Sequence, residues 1–333
     1  MSLKIIKAGI QDTLQDMGRY GHRQLGINPT GAMDKFSMQV SNALVGNAPE
    51  EAVIEMHFPA SVFMFTEPAL IALSGADFHA HINGEPVPHL HPILVAKNDL
   101  LHFKQPHHGA RAYLSVRGGF EHKHWLNSSS THLKAHAGGF KGRQLRKDDE
   151  LFLRVPLPEG LIAAKQECYA LPWQADVHWQ EDPHEIYILP GHEWNSLIRE
   201  SKENMFMTAF VITKHSDRMG YRLNHTPLHT LTHEEVVSSA VDFGTIQLLP
   251  DGHLIILMAD HQTTGGYPRI GHCITAHHHR LAQLAPGDKI RFRLTDQLMA
   301  ENLLQAQHTH LQQLAYSCSN RLQDFLNKHH VTH

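Results

Sequence analysis

The sequence has few cysteines, no long apolar run and no large excess of either charge. Its three cysteines lie far apart and form no CxxC pair, which fits a reducing cytoplasm and argues against a disulfide framework. No run approaches the roughly 18 apolar residues of a membrane-spanning helix, and the N-terminal stretch lacks the long apolar centre of a signal peptide. The formal net charge is −4 with histidine counted as neutral, so no strong nucleic-acid partner is indicated. We therefore expect a cytoplasmic globular protein with neither a membrane nor a nucleic-acid partner.

Histidine is the residue in excess, with 31 of 333 positions. Clusters occur at 79–91 (HAHINGEPVPHLH) and 276–280 (AHHHR), and His79 and His81 would share one face of a strand. Zinc sites usually add cysteine, or a carboxylate at fixed spacing as in HExxH, and neither pattern is present. We interpret the histidines as ordinary surface residues and name no metal ligands, with a metal site as the alternative.

Short apolar or alternating segments, bounded by Gly, Pro, Asn and Asp, indicate a mainly β protein. The predicted strands include SVFMFTE, ALIALSG, AYLSVRGG, ELFLRV, EIYILPG, AFVITK, TIQLL and LIILMA. Two helices are predicted. The first covers 35–47, with Asp34 as its N-cap. The second runs from about 295 to 327 and presents one apolar face: Leu304, Leu311, Leu314, Cys318, Leu322 and Phe325.

A weak internal echo supports two β-domains. KNDLLHF (97–103), KDDELFL (147–153) and PGDKIRF (286–292) each join a polar turn ending in Asp to a strand, and a Pro-rich stretch follows the second. We predict a boundary near residue 160, an N-terminal domain over 1–160, a C-terminal domain over 161–295 and a helical tail over 296–333. The echo is compatible with duplication and with generic turn chemistry.

Polar side chains gather directly behind one predicted buried strand. LIILMA is followed by DHQTTGGYPRI (260–270), whose glycine pair lets the backbone approach a ligand closely. We expect this segment to line a pocket with Asp217, Arg218 and Arg222 of KHSDRMGYRLN (214–224). In strand geometry Gln247 of GTIQLLPDG (244–252) points opposite to its apolar neighbours, so we expect it to face a cavity. The alternatives are local structural roles. An Asp–Arg pair could stabilise the 214–224 loop, Gln247 could face solvent, and Asp260 and the threonines could hydrogen-bond only to nearby backbone groups.

Four motifs, in order along the chain, carry a family resemblance: DMGRYGHRQLGINPTGAMD with SNALVGN, then SDRMGYRL, then GTIQLLPDG, then ADHQTTGGYP. The sequence resembles the family of the C subunit of the three-component, ATP-dependent 5-oxoprolinase. That family is also labelled allophanate hydrolase subunit 2, KipA or biotin-dependent carboxyltransferase. The resemblance runs from about residue 3 to 295 and implies tandem cyclophilin-like β-barrels.

The resemblance also implies a reaction and its partners. With a KipI-like B subunit and a LamB/YcsF-type A subunit, the chain would open the lactam of 5-oxo-L-proline to L-glutamate. ATP would be the co-substrate of the complex, and the chain would be inactive alone. From the chemistry we place Asp217, Arg218, Arg222 and Asp260 in catalysis. The expected substrate contacts are Arg19, Gln247, Gln262, Thr263, Thr264, Gly265, Gly266, Tyr267 and Arg269.

Two further functions fit the same resemblance. The chain could be the carboxyltransferase component of a biotin-dependent urea carboxylase or allophanate-type system, although it has no AMKM-like biotin site and no ATP-grasp pattern. It could also be a KipA-like regulator that binds a KipI-like protein. Turnover of 5-oxoproline with ATP, dependence on biotin, or partner binding without turnover would separate the three.

Overall fold

The computed structural model describes residues 1–157, 168–177, 182–231 and 236–330, with the side chains of 329 and 330 excepted. The chain divides into two compact units. The first unit comprises Met1–Gly18, Asp34–His178 and Thr309–His333, and the second comprises Arg19–Met33 and Trp179–His308. The predicted boundary near residue 160 lies outside the described residues. The segment Arg19–Met33 belongs to the second unit. The predicted ranges 1–160 and 161–295 are each continuous in sequence, so they do not include this exchange.

Two six-stranded sheets, both antiparallel in their described pairings, form the first unit. In spatial order one sheet contains β11 (Glu150–Phe152), β1 (Ser2–Lys7), β4 (Val62–Phe65), β9 (Leu100–Phe103), β6 (Ala80–Ile82) and β7 (Glu85–Pro86). The other contains β12 (Tyr169–Ala170), β8 (Pro92–Val95), β5 (Ala69–Asp77), β10 (His108–Val116), β3 (Val53–Met56) and β2 (Thr13–Gln15). Apolar residues of both sheets, such as Ile5 and Phe63 from one and Ile71 and Leu114 from the other, share one core.

A closed barrel of seven strands forms the second unit. Its strands in spatial order are β13 (Glu185–Pro190), β20 (Arg269–Cys273), β17 (Thr245–Leu248), β18 (Leu254–Leu257), β15 (Gly220–Asn224), β14 (Phe210–Ile212) and β21 (Lys289–Leu294). Neighbours are antiparallel except β13 and β21, which pair in parallel and close the ring. Ile186, Phe210, Ile246, Ile256 and Ile270 belong to its core. A separate ribbon pairs β16 (Ser239–Ala240) with β19 (Thr264–Gly265).

Four α-helices accompany the strands in the described residues: α1 (Lys35–Val45), α2 (Arg199–Met207), α3 (His278–Ala282) and α4 (Gln297–His330). The Asp34 side chain accepts the amide N–H of Ser37 at 2.8 Å, so the predicted cap of α1 is confirmed. Gly46 ends α1 at φ 71°, in the left-handed region that glycine enters most easily. No helix in the described part of the chain is long and apolar enough to cross a membrane.

The C-terminal helix buries the face that its spacing predicts. Leu311, Cys318 and Leu322 are buried, while Leu314 and Phe325 pack against the same cluster. Leu304 is only half-buried. Leu326, which is not part of the predicted face, is also buried. A mainly β fold with a C-terminal helix is therefore confirmed.

The three echoed segments share one local structure. Asp99, Asp149 and Asp288 each accept the backbone N–H of the residue three positions earlier, at 2.7, 2.7 and 2.8 Å. In each case the strand begins within one residue of the aspartate, as β9, β11 and β21. The echo is thus a repeated Asp-closed turn that starts a strand in both units.

Loss of the α1 cap has a defined cost. Asp34→Ala removes the acceptor of the Ser37 amide and is expected to lower the free energy of unfolding by about 1 kcal/mol. Asp34→Asn keeps an oxygen for that amide and should lose clearly less. Urea denaturation followed by circular dichroism measures both, and equal losses would show that the cap does not carry the effect.

Candidate functional site

A buried ion pair links two of the predicted site residues in the second unit. The guanidinium of Arg218, in the turn before β15, donates from Nε to Asp260 Oδ2 at 2.9 Å and from Nη2 to Oδ1 at 3.1 Å. Nη2 also donates to the carbonyl oxygen of Gly31 at 2.6 Å. The relative exposure of the two side chains is only 6% and 10%. This fork fixes the start of the 260–270 segment, and it engages both carboxylate oxygens of Asp260, which is expected to act in catalysis.

The segment 19–33 supports the same region of the second unit. The side-chain amide of Asn28 donates to the carbonyl oxygens of Asp260 and His261 at 2.9 and 2.6 Å. Arg19, an expected substrate contact, is 1% exposed and donates from Nη1 to Thr30 Oγ1 within its own segment. Arg19 therefore braces the segment from inside.

A second polar network extends this support. Arg23 Nη2 lies 2.5 Å from Asp242 Oδ1, and the buried His261 Nε2 lies 3.6 Å from the same oxygen. Burial would raise the pKa of the Asp242 carboxyl, but hydrogen bonds from His261 and Arg23 outweigh it and keep that pKa well below its usual value. Asp242 is consequently an anion at neutral pH and a fixed hydrogen-bond acceptor for Arg23 and His261.

Gln247, on β17, is a buried carboxamide without a hydrogen-bond partner. Its side chain is 1% exposed, and neither its amide nitrogen nor its oxygen has a partner among the described residues. Gly265 on β19 lies against it: a Cβ there would come within 2.4 Å of Nε2, so a larger residue at 265 would displace the Gln247 side chain. Ser239, paired with Gly265 in the ribbon, also has a buried Oγ without a described partner. A buried amide left unpaired costs about 1–3 kcal/mol, so this arrangement needs an explanation.

Arg269 is engaged by a carboxylate rather than left open for an anion. Its Nε and Nη2 donate to Glu193 at 3.2 and 3.0 Å, and its backbone N–H donates to Glu193 Oε2 at 2.7 Å. Burial would raise the pKa of Glu193, but the hydrogen bonds from Arg269 outweigh it and lower that pKa. The pair is therefore ionic and anchors the end of the 260–270 segment.

The remaining predicted residues lie nearer the surface. Asp217 is exposed, and its Oδ1 accepts the backbone N–H groups of Met219 and Gly220, as in a local turn. Arg222 is exposed on β15, between the buried Tyr221 and Leu223. Within the segment itself, Thr264, Gly266 and Tyr267 are exposed, and Gln262 and Thr263 are half-buried. The structure thus joins Arg218 to Asp260 and Gln247 to Gly265, while Asp217 and Arg222 make local or outward contacts.

Sequence reasoning missed the partners of these residues. Asn28, Asp242, His261 and Glu193 were not named as site residues. Asn28 lies inside a quoted motif, and His261 lies inside the 260–270 segment but was set aside with the other histidines. Glu193 and Asp242 carry no local signal, because each pairs with a residue far away in the chain.

Comparison with known proteins identifies the family. A family model described as the carboxyltransferase domain, subdomain A and B, matches residues 25–294. The chain belongs to this carboxyltransferase-domain family.

Relatives of this carboxyltransferase domain fall into two groups. The 5-oxoprolinase C subunit of Escherichia coli K12 is 34% identical over 96% of the chain and 99% of that protein. The 5-oxoprolinase C subunit of Haemophilus influenzae is 32% identical over 94% and 97%. The crystal structure of Kluyveromyces lactis urea carboxylase has a TM-score of 0.85 at 25% identity, over 94% of this chain and 29% of that chain. The chain spans less than a third of that larger protein.

The buried fork of the carboxyltransferase domain predicts a stability effect. Arg218→Ala leaves the Asp260 carboxylate buried and uncompensated, so the free energy of unfolding should fall by about 3–5 kcal/mol. Arg222→Ala removes an exposed guanidinium four positions later and should change it by less than about 0.5 kcal/mol. Urea denaturation compares the two, and a loss at Arg218 no larger than at Arg222 would contradict a stabilising role for the pair.

Proposed function

We propose that the chain is the C subunit of a cytoplasmic, ATP-dependent 5-oxoprolinase. It would open the lactam of 5-oxo-L-proline to L-glutamate together with a KipI-like B subunit and a LamB/YcsF-type A subunit. The supporting observation is that two relatives, each named as the C subunit of a 5-oxoprolinase, match nearly the whole chain and nearly their own whole length. Because the match covers nearly the whole length of both proteins, it favours the same role for this chain as for these relatives.

Within this function, the Gln247 carboxamide is the substrate contact that the geometry supports best. A lactam presents a carbonyl acceptor and an N–H donor on one edge, and a primary carboxamide presents the complementary donor and acceptor. Two hydrogen bonds to Gln247 would satisfy both of its unpaired atoms. Gly265 of the ribbon lies against this amide, so substrate would reach it when the ribbon moves.

The remaining residues support this contact in distinct ways. The Arg218–Asp260 fork and the Arg269–Glu193 pair fix the two ends of the segment, so they act as positioning residues. Gln262, Thr263, Thr264 and Tyr267 lie between these ends and would orient the substrate. Arg222, exposed on β15, offers a guanidinium to phosphate or carboxylate.

The chemistry accounts for the requirement for ATP. A lactam carbonyl is a poor electrophile, and transfer of the γ-phosphoryl group to its oxygen releases ADP and makes that oxygen a leaving group. Water then adds to the carbon, and the ring C–N bond breaks as the nitrogen takes up a proton. A second water releases the phosphate, which yields glutamate, ADP and phosphate.

A biotin-dependent carboxyl transfer is the second candidate. The urea amidolyase of Lachancea kluyveri is 27% identical over 94% of this chain but only 18% of that protein, and the urea carboxylase structure above has a similar fold. The chain would then be one component, with biotin attached to another protein. A KipA-like regulator that binds a KipI-like protein is the third candidate.

Reconstitution tests the proposed function. The purified chain should release little or no glutamate from 5-oxoproline and ATP, and addition of the A and B subunits should restore turnover. Glutamate and ADP are measured by coupled assays, with each two-subunit mixture as a control. Turnover that requires biotin would favour the second candidate, and a stable complex without turnover would favour the regulator.

The amide contact is tested by two matched changes. Gln247→Leu removes both hydrogen bonds and an unpaired buried amide, so turnover of the complex should fall at least tenfold while stability is unchanged or rises. Gly265→Ala places a methyl group against Nε2 and should also lower turnover. Near-normal turnover of Gln247→Leu would exclude the contact.

A further inference from the structure

A carboxylate and two imidazoles converge in the first unit, and none of the three residues has a role in the proposed function. One ligand atom each of Asp77, His79 and His107 lies within 4.8 Å of the other two. His107 Nδ1 is 3.7 Å from Asp77 Oδ2, and the rings of His79 and His107 are 5.1 Å apart between centroids. We call these three residues the Asp77 cluster.

The backbone fixes the Asp77 cluster independently of any ligand. β5 ends at Asp77 and β10 begins at His108, and these two residues are paired in the sheet before an irregularity in its register. The carbonyl oxygen of Asp77 accepts the backbone N–H of His107 at 2.8 Å, and Asp77 Oδ1 accepts that of His79 at 2.8 Å. His79 has φ 49°, a left-handed conformation uncommon for residues other than glycine. These contacts leave Asp77 Oδ2 and the two rings facing one another.

The cluster differs from the other histidine contacts in the chain. The rings of His81 and His102 are tilted, with centroids 5.5 Å apart, and those of His122 and His124 meet edge to face at 5.0 Å. In the described residues, the Asp77 cluster is the group of three potential ligands that meets the distance for a shared ion. A further ring, His108, lies beside it, and behind His108 the buried Nε2 of His89 has no described hydrogen-bond partner. The abundance of histidine alone does not explain a fixed carboxylate beside two neighbouring imidazole rings.

We propose that Asp77, His79 and His107 bind a divalent transition-metal ion, and that Zn²⁺ is the best match. Two imidazole nitrogens and one carboxylate oxygen form a ligand set typical of zinc, whereas calcium and magnesium prefer oxygen alone. His107 is 65% exposed, so water completes the coordination. Bound zinc joins the end of β5 to the start of β10 and thereby stabilises that edge of the first unit.

Zinc titration of the metal-free, full-length chain tests the proposal. Isothermal titration calorimetry should detect one site of micromolar or tighter affinity in the unaltered protein. His107→Ala removes one ligand and should weaken that site at least tenfold. Asp77→Asn keeps an oxygen for the His79 amide but removes the charged ligand, and the same loss is expected. His308→Ala, an exposed histidine of α4, is the matched control and should bind as the unaltered protein does.

A second readout separates a built site from dispersed binding to surface histidines. Co²⁺ bound at the cluster should give visible absorption bands of a four- or five-coordinate ion, which both cluster variants lose and His308→Ala keeps. Zinc should also raise the melting temperature of the unaltered protein but not of His107→Ala. If all four proteins bind zinc with the same stoichiometry and affinity, the proposal is wrong.

Discussion

The parallel pairing of β13 with β21 is the constraint on which the second unit depends. It joins the first and last strands of the barrel, so no strand edge is left open in the ring. Three neighbouring strands then bring the polar groups together: β20 begins at Arg269, β17 carries Gln247, and Asp260 follows β18. The candidate site therefore depends on the pairing of three neighbouring barrel strands rather than on any one loop.

Charge in this region is neutralised within the protein. Arg218 is paired with Asp260, Arg269 with Glu193, and Arg23 with Asp242. Two uncharged groups beside these pairs, the Gln247 carboxamide and the Ser239 Oγ, have no hydrogen-bond partner among the described residues. In the proposed function, the neutral carboxamide of Gln247 would meet the lactam ring of the substrate, which is also neutral. The paired arginines Arg218 and Arg269 hold the two ends of the 260–270 segment in place.

Local patterns predicted local structure well. Alternating apolar residues gave the strands, the Asp34–Ser37 spacing gave the cap of α1, and the apolar face of the C-terminal helix was largely correct. Long-range pairing was not predictable, because nothing near Arg269 indicates Glu193, 76 residues earlier. The same limit hid the membership of 19–33 in the second unit. The expectation for Gln247 rests on strand alternation. This alternation indicates to which face of the sheet a side chain points, but not whether that side chain has a hydrogen-bond partner.

The position of segment 19–33 has a consequence for synthesis of the chain. Asn28 donates to the carbonyl of Asp260 across 232 residues, so the segment leaves the ribosome long before its partners exist. At about 5–20 residues per second, this interval is on the order of ten seconds or more. During this interval the polar groups of segment 19–33 hydrogen-bond to water instead of to their partners in the folded protein. A fragment of residues 179–308 would lack the Gly31 carbonyl that accepts from Arg218 and the Asn28 amide that donates to Asp260. Such a fragment is therefore not the complete second unit.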